Sequence, residues 1–396
     1  MKLKNVILSV SILMALGVNA AELNFKVSPI SYDLTALEKN KNHLVDVNSS
    51  YKNLISKADK ALSNAIDPVV NKTLLPASGD KHDYYSFGPY WWPNPDTKDG
   101  LPYIRKDGQY NMDTKTSATD KQRLISFAND VKILGLAYYF TENEEYANKA
   151  VEQLKAWLID PDTRMNPNMN YAQAIPGIVD GRGIGIIDSR LLIGVVDSVE
   201  LIKPSLSEQD YAQIVSWFKQ FNDWLISSNN GFEEDNWHNN HGTWFDAQVV
   251  AFSIFTKQPD LAKKRLRVTQ MRRIGGHFNT EGQQHAELER TQPWHYSNFN
   301  LEAYNLLGHY GELVGVDVWN YEVDKHSLNN GYKYIAKYVV TPTEWPYKEL
   351  KGMKKDIAYE NMLYAERAYD DEIFDKALSE LKQSKENEEK IINLLF

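Results

Sequence analysis

Residues 124–138 read LISFANDVKILGLAY, and within them Leu124, Ala128, Val131, Leu134 and Tyr138 recur at spacings of three and four. That period lines apolar side chains along one face of an α-helix. The same spacing returns on either side, in Tyr51, Leu54, Ile55, Ala58, Leu62 and Ile66 upstream and in Tyr146, Ala150, Leu154, Trp157 and Leu158 downstream. Further stripes cover 191–202, 211–225, 244–255, 299–314 and 328–339, with weaker patterns to the C-terminus. Pro204 closes one element, and Ser207-Glu208-Gln209-Asp210 resembles a capping box ahead of the next. Alternating strand patterns are scarce. The fold class is therefore all-α. So many helices cannot share one bundle core, so helical hairpins arranged as an (α/α) toroid or incomplete barrel are expected. One domain over 21–396 is the expected organisation.

The 396 residues carry 44 Lys+Arg against 53 Asp+Glu, a formal net charge of -9, with 42% hydrophobic and 24% charged residues. This suits a soluble globular protein. The acidic balance argues against a generic nucleic-acid binder, which presents a basic surface. The absence of cysteine removes disulfides, thiol catalysis, iron–sulfur clusters and lipoprotein acylation. The 23 Tyr and 10 Trp are types that line sugar-binding clefts; a large aromatic core is the plainer alternative. At the N-terminus, Lys2 and Lys4 precede the apolar run VILSVSILMALGV over 6–18 and the small residues of Val18-Asn19-Ala20. This is the pattern of a signal peptide over 1–20, and the run is short of the ~20 residues of a membrane span. Export to the periplasm or beyond is expected, leaving 42 basic against 53 acidic residues.

Two long stretches, 76–119 and 275–297, break the helical rhythm, and long loops inside a compact domain are usually functional. The charged tail 371–390 reads as a solvated terminal helix. Residues 236–244 read NWHNNHGTW just ahead of a helical stripe. Asn239, Asn240 and His241 there stand near a helix start, where amides donate to an anion. His238 and His241 are three apart, yet no carboxylate lies at zinc spacing on that helix, so no metal ligand is assigned. Capping alone is the plainer reading. Residues 287–297 read ELERTQPWHYS. If Arg290 meets Tyr296 across a turn, the guanidinium depresses the phenol pKa from ~10; a surface Arg and a packed Tyr are the alternative.

Residues 86–95 read SFGPYWWPNP and 100–105 read GLPYIR. Tyr90, Trp91 and Trp92 suit stacking on sugar rings, or staple the loop to the core. Residues 181–190, GRGIGIIDSR, match neither a dinucleotide nor a P-loop fingerprint. Arg182 or Arg190 could reach an anionic substrate; the alternative is a close-packed turn with 188–190 exposed. Lys263, Lys264, Arg265, Arg267, Arg272 and Arg273 form the densest basic stretch, read as a solvated face or, more sharply, as a lure for a polyanion.

Together, GPYWWPNP with GLPYIR, NNHGTW and ELERTQPWHYS, in that order over about residues 85–300, resemble the alginate lyase superfamily of α/α-toroid polysaccharide lyases. They resemble most the branch containing polysaccharide lyase family 38, with its alginate and glucuronan lyases. The resemblance implies metal-independent β-elimination on an anionic polysaccharide. It implies no cofactor, no nucleic-acid partner, and no membrane partner after signal cleavage. It matches Asn240 and His241 to the family's Asn-His pair, Arg290 to its active-site arginine and Tyr296 to its catalytic tyrosine. Tyr90, Trp91, Trp92, Arg182, Asn239 and His295 are expected to bind substrate. In the family 5 alginate lyases the Arg-to-Tyr spacing is one residue longer than the six here.

The chemistry supports this division. Removing a uronate C5 proton places a second charge beside the carboxylate, so that group must first be neutralised. Arg290, Asn240 and a protonated His241 can donate to it. One Tyr296 then serves as base at C5 and acid at O4 where both lie on one ring face, the syn case of β-mannuronate and β-glucuronate. Guluronate requires anti elimination, with His241 and Tyr296 on opposite faces. Polymannuronate is the favoured substrate and glucuronan the alternative. An inverting glycoside hydrolase using two of Glu234, Asp235, Glu287 and Glu289, and a non-catalytic uronan-binding protein, are the rival readings.

Overall fold

A computed structural model describes residues 28–341 and 344–396, so the signal peptide expected over 1–20 lies outside the described residues. The chain opens with α1 (Leu34–Asn42) and α2 (Asn48–Ser63). After a long segment it continues through α3 (Lys121–Thr141), α4 (Glu144–Leu154), α5 (Leu192–Leu201), α6 (Glu208–Ser227), α7 (Asn229–Asp235), α8 (Asn240–Phe255) and α9 (Pro259–Val268). Two single turns, α10 (Gly275–His277) and α11 (His285–Leu288), precede α12 (Pro293–Val314), α13 (Leu328–Val340), α14 (Tyr359–Ala368) and α15 (Glu372–Leu381). Each stripe read from the sequence coincides with a helix to within a few residues.

Helices α3, α5, α8, α12 and α14 pack in succession as an inner ring, with α4, α6, α9, α13 and α15 against its outside. The ring order follows from side-chain burial. In α8, 14 of 16 residues are buried, as a helix enclosed on all sides requires. In α15 only the stripe Phe374, Ala377, Leu378 and Leu381 is buried. That stripe corrects the reading of 371–390 as a solvated helix: its apolar face is packed on α13 and α14. The ring closes where the C-terminal turn Ile391–Leu395 meets α1 and α2. There Asn40 Nδ2 donates to the carbonyls of Asn393, Leu394 and Phe396 at 3.3, 3.1 and 2.8 Å. The result is the (α/α) toroid expected from the sequence.

The long segment between α2 and α3 is not structureless. It holds β1 (Tyr85–Phe87), β2 (Trp91–Trp92) and β3 (Ile104–Arg105). Strand β1 pairs in parallel with β4 (Tyr171–Ala174), and β2 pairs antiparallel with β3, Trp91 opposite Arg105. The β2–β3 hairpin reaches the start of α12. At Gly108, whose φ is +68°, an added Cβ would lie 2.2 Å from Thr291 Oγ1, so only glycine allows this approach.

The basic stretch is a solvated face at Lys264, Arg267 and Arg272, which are exposed, while Arg265 and Arg273 turn inward. Arg273 is 2% exposed. It donates to Asp246 (Nε–Oδ2, 3.1 Å) and to the carbonyls of Asp235 (2.8 Å) and Trp237 (3.0 Å). Arg265 joins Asp235 and Asp246 in the same cluster. Breaking a buried pair costs about 3–5 kcal/mol, so this cluster holds the turn between α7 and α8 firmly. Gly242 completes it: a Cβ there would stand 2.2 Å from Trp237 O and 2.6 Å from Arg273 Nη1. The turn thus fixed carries Asn239, Asn240 and His241.

Candidate active site

A cleft of about 840 Å³ opens beside the N-termini of α8 and α12. Its lining includes Arg105, Lys115, Lys121, Arg182, Arg190 and Arg290, against only two acids, Asp188 and Glu302. An acidic protein that collects cations in its cleft is built for an anionic ligand. The two helix N-termini add positive potential at the same place.

On the α8 side, Asn239 caps the helix, its Oδ1 accepting from His241 N–H at 3.1 Å. Asn240 is buried against Glu287. Its N–H reaches Glu287 Oε1 at 2.5 Å, and Nδ2 reaches Oε1 and Oε2 at 3.0 and 2.8 Å. Two oxygens of one carboxylate subtend far less than the ~120° between the N–H bonds of an amide. One hydrogen is therefore shared between them and the other is left for a ligand. His241 Nδ1 lies 2.8 Å from Glu234 Oε1. An ionised Glu234 can only accept, so Nδ1 carries a proton in this contact. Burial pushes the Glu234 carboxyl up, and His241 draws it back.

Burial pushes Glu287 from 4.5 to about 6, although the Asn240 bonds and then Arg290 and His241 oppose this. Because the folded value is the higher one, this group's contribution to stability is full below about pH 4.5 and is lost as pH rises through 6. Activity runs the other way. Below about pH 6 a protonated Glu287 loosens its hold on the Asn240 amide. We expect an acid limb in kcat near that pH without loss of folding, and its flattening in Glu287→Gln. Overlaid pH profiles of rate and melting temperature check this; an unmoved acid limb in the variant would assign it elsewhere.

On the α12 side the helix starts six residues before the apolar stripe begins, because Pro293 occupies the first helical position, where its missing N–H costs nothing. Tyr296 therefore sits in the first turn of α12, not in a loop. The Arg290 guanidinium lies 3.8 Å from the centre of its ring. The Tyr296 hydroxyl is 2.7 Å from that of Tyr90. The proximity expected from the sequence is present, but the expected net pKa shift is not. Burial raises the Tyr296 phenol above its ordinary value; Arg290 lowers it by less, and Tyr90 raises it further. Arg290 is itself held by Asp107, at 3.2 Å through Nε and 2.9 Å through Nη2, which tempers its effect on the phenol.

The cleft brings together Tyr90, Trp91, Arg182, Asn239, Asn240, His241, Arg290, His295 and Tyr296. Trp92 stands outside this lining: side chains alternate along a strand, so Trp91 faces the cleft. Trp92 donates from Nε1 to Gln109 O at 3.0 Å with Lys106 over its ring. His295 is open at the cleft mouth, its ring stacked 6.0 Å from Phe299. Partial enclosure, then Lys351, Arg290 and Arg190, lower its pKa, so it is neutral at pH 7. Asp188 is buried, correcting its reading as exposed. His238 is exposed and does not line the cleft. The sequence reading gave no site role to Asp107 or Gln173, and took Glu234 and Glu287 only as hydrolase carboxylates. Their partners lie 7–183 residues away, and no local signal marks Asp107.

A family profile described as alginate lyase matches residues 69–345. Among solved structures, an alginate lyase from Bacteroides ovatus is similar over 93% of this chain and 99% of its own, at 33% identity and a TM-score of 0.89. Alginate lyase A1-III from Sphingomonas species A1 is similar over 83% of this chain and 90% of its own, at 16% identity and a TM-score of 0.52, a likeness of fold. No curated protein sequence matches the chain.

Proposed function

Since the chain belongs to the alginate lyase family and is a polysaccharide lyase, we propose that it cleaves a β-1,4-linked polyuronate by syn β-elimination, with polymannuronate favoured and glucuronan the alternative. The carrying observation is the phenol of Tyr296 at the cleft wall beneath the Arg290 guanidinium, 3.8 Å away. The substrate carboxylate takes the free N–H of Asn240 and the open edge of Arg290. Tyr296 O removes the C5 proton, the C4–O4 bond breaks as C4=C5 forms, and the proton on Tyr296 passes to O4. One feature favours the small phenolate population this needs: the Arg290 cation over the ring. His241, oriented by Glu234, completes neutralisation. In a guluronate unit it would instead supply the base from the opposite face.

The hydrolase alternative loses ground on geometry. Glu234 is committed to His241, Glu287 to Asn240, and Asp235 to the arginine cluster; Glu289 is exposed, and none of the four lines the cleft. We also propose export, on the strength of residues 1–20. The deciding assay is ultraviolet absorbance with polymannuronate, polyguluronate, glucuronan and a neutral glucan. The expected result is a 4,5-unsaturated chromophore from the syn polyuronates and none from the glucan. New reducing ends without absorbance would overturn the lyase chemistry.

A further inference from the structure

Among the arginines of the cleft, two kinds of environment exist. Arg290 and Arg105 both contact the carboxylate of Asp107. Arg182 contacts none: its partners are neutral, Nε donating to Gln173 O at 3.1 Å and Nη2 to Gln173 Oε1 at 3.0 Å. Its nearest carboxylates, Asp188, Glu233 and Glu234, act on it only through space. Nη1 has no hydrogen-bond partner among the described residues. The guanidinium lies 5.9 Å from the centre of the Trp91 ring. Gly88 makes room for both: a Cβ there would fall 2.7 Å from Trp91 Cδ1 and 3.0 Å from Arg182 Nη2.

The support beneath Arg182 is more elaborate than packing requires. Gln173 holds a φ of +50°, a left-handed conformation uncommon for a side-chain-bearing residue and concentrated at functional sites. Its N–H is fixed by Ser86 Oγ at 2.9 Å, and its Nε2 by Asp188 Oδ1 at 3.0 Å. Asp188 has no freedom to present the amide otherwise. It accepts from Lys121 Nζ at 3.0 Å and from the hydroxyls of Tyr84 and Ser86, each at 3.1 Å. With Nε2 spent on Asp188, Gln173 turns its Oε1 to Arg182. The chain Asp188–Gln173–Arg182 thus delivers a fixed guanidinium beside an aromatic face, with its charge unmatched by any direct ion pair.

We propose that Arg182 with Trp91 forms a second uronate subsite, holding the carboxylate of the sugar next to the one that reacts, and that Gln173 is its positioning residue. The inference rests on the polyuronate lyase reading and extends it. An aromatic face beside a guanidinium matches a sugar acid, apolar on a ring face and anionic at C6. Among the described residues, no hydrogen bond or ion pair joins Arg182 to Tyr296, Asn240 or Arg290. In a β-1,4-linked chain successive carboxylates emerge on alternate sides, so engaging two of them calls for cations on separate elements. Arg182 precedes the run Gly183–Leu191, and Arg290 precedes α12. The enzyme therefore recognises a pair of consecutive uronates.

The test is calorimetric titration of a mannuronate tetrasaccharide into Tyr296→Phe protein, with and without Arg182→Gln, alongside kinetics on polymannuronate in the Tyr296-intact background. Loss of one charged hydrogen-bonding partner predicts a fall in affinity of about tenfold or more, a weaker dependence on salt, and a change in KM that exceeds the change in kcat. Arg182→Lys keeps the charge without the fork and should recover part of the affinity. Gln173→Ala should weaken binding alone and add nothing in the Arg182→Gln background, because it acts through that side chain. Unchanged affinity in a folded Arg182→Gln protein, or full additivity of the two changes, would overturn the subsite. Wild-type protein without turnover on any polyuronate would strike the lyase reading instead, while the titration stays readable.

Discussion

Tyr296→Phe is expected to lower kcat on polymannuronate by about 10⁴-fold, at the upper end of what one general acid–base group contributes, while binding stays within a few-fold of wild type. The magnitude follows from the double duty assigned to this phenol. Without it, neither the C5 proton nor the O4 leaving group has a partner, and the dianion that forms at C5 has only the static donors Asn240, Arg290 and His241. Binding survives because the ring remains. Arg290 packs 3.8 Å from its centre, and that contact does not use the hydroxyl. Folding survives as well: the lost bond to Tyr90, 2.7 Å in length, is worth about 1 kcal/mol. Stopped absorbance assays, with calorimetry on the same protein, separate the terms. Near-normal turnover in this variant would remove the mechanism, and lost binding would make Tyr296 a platform for the sugar.

The period of three and four residues gave the helices, because a helix that buries one face must repeat its apolar residues at that spacing. The same physics hid two features. The start of α12 at Pro293 carries the polar and aromatic residues of the site, so the apolar stripe begins later than the helix does. Trp92 shares its loop and chemistry with Trp91, and only the strand pairing of 91–92 with 104–105 sends the two rings to different sides. The proposed site residues were legible because each stands in a short motif: Asn240 and His241 at a helix start, Arg290 and Tyr296 six apart. Their partners were not. Asp107 meets Arg290 across 183 positions, and Tyr90 meets Tyr296 across 206. Such pairs exist only once the ring of helices closes and the hairpin lies on the start of α12. The direction of the Tyr296 shift depended on the same closure. A guanidinium beside a phenol favours the anion, but burying that phenol disfavours it more.

Glu234→Gln should part activity from stability. The carboxyl of Glu234 is fully buried, and burial pushes its pKa above 4.5 even with His241 at 2.8 Å. A raised folded-state value means that the ionised form is disfavoured by folding. Its contribution to stability is largest below about pH 4.5 and is lost as pH rises through the folded pKa. At neutral pH an amide of the same shape avoids that desolvation cost, so the variant is expected to melt at or above the wild-type temperature, with less change between pH 7 and 5. Catalysis should move the other way. An amide presents either an acceptor or a donor to His241 Nδ1, so the ring loses the anion that fixes its tautomer and supports positive charge on it. Loss of such a preorganised group costs about 100–1,000-fold in rate, expected here in kcat. Melting curves and absorbance kinetics on one preparation decide the point. A variant that melts several degrees lower with its rate intact would make Glu234 a structural anchor, and His241 would then act without it.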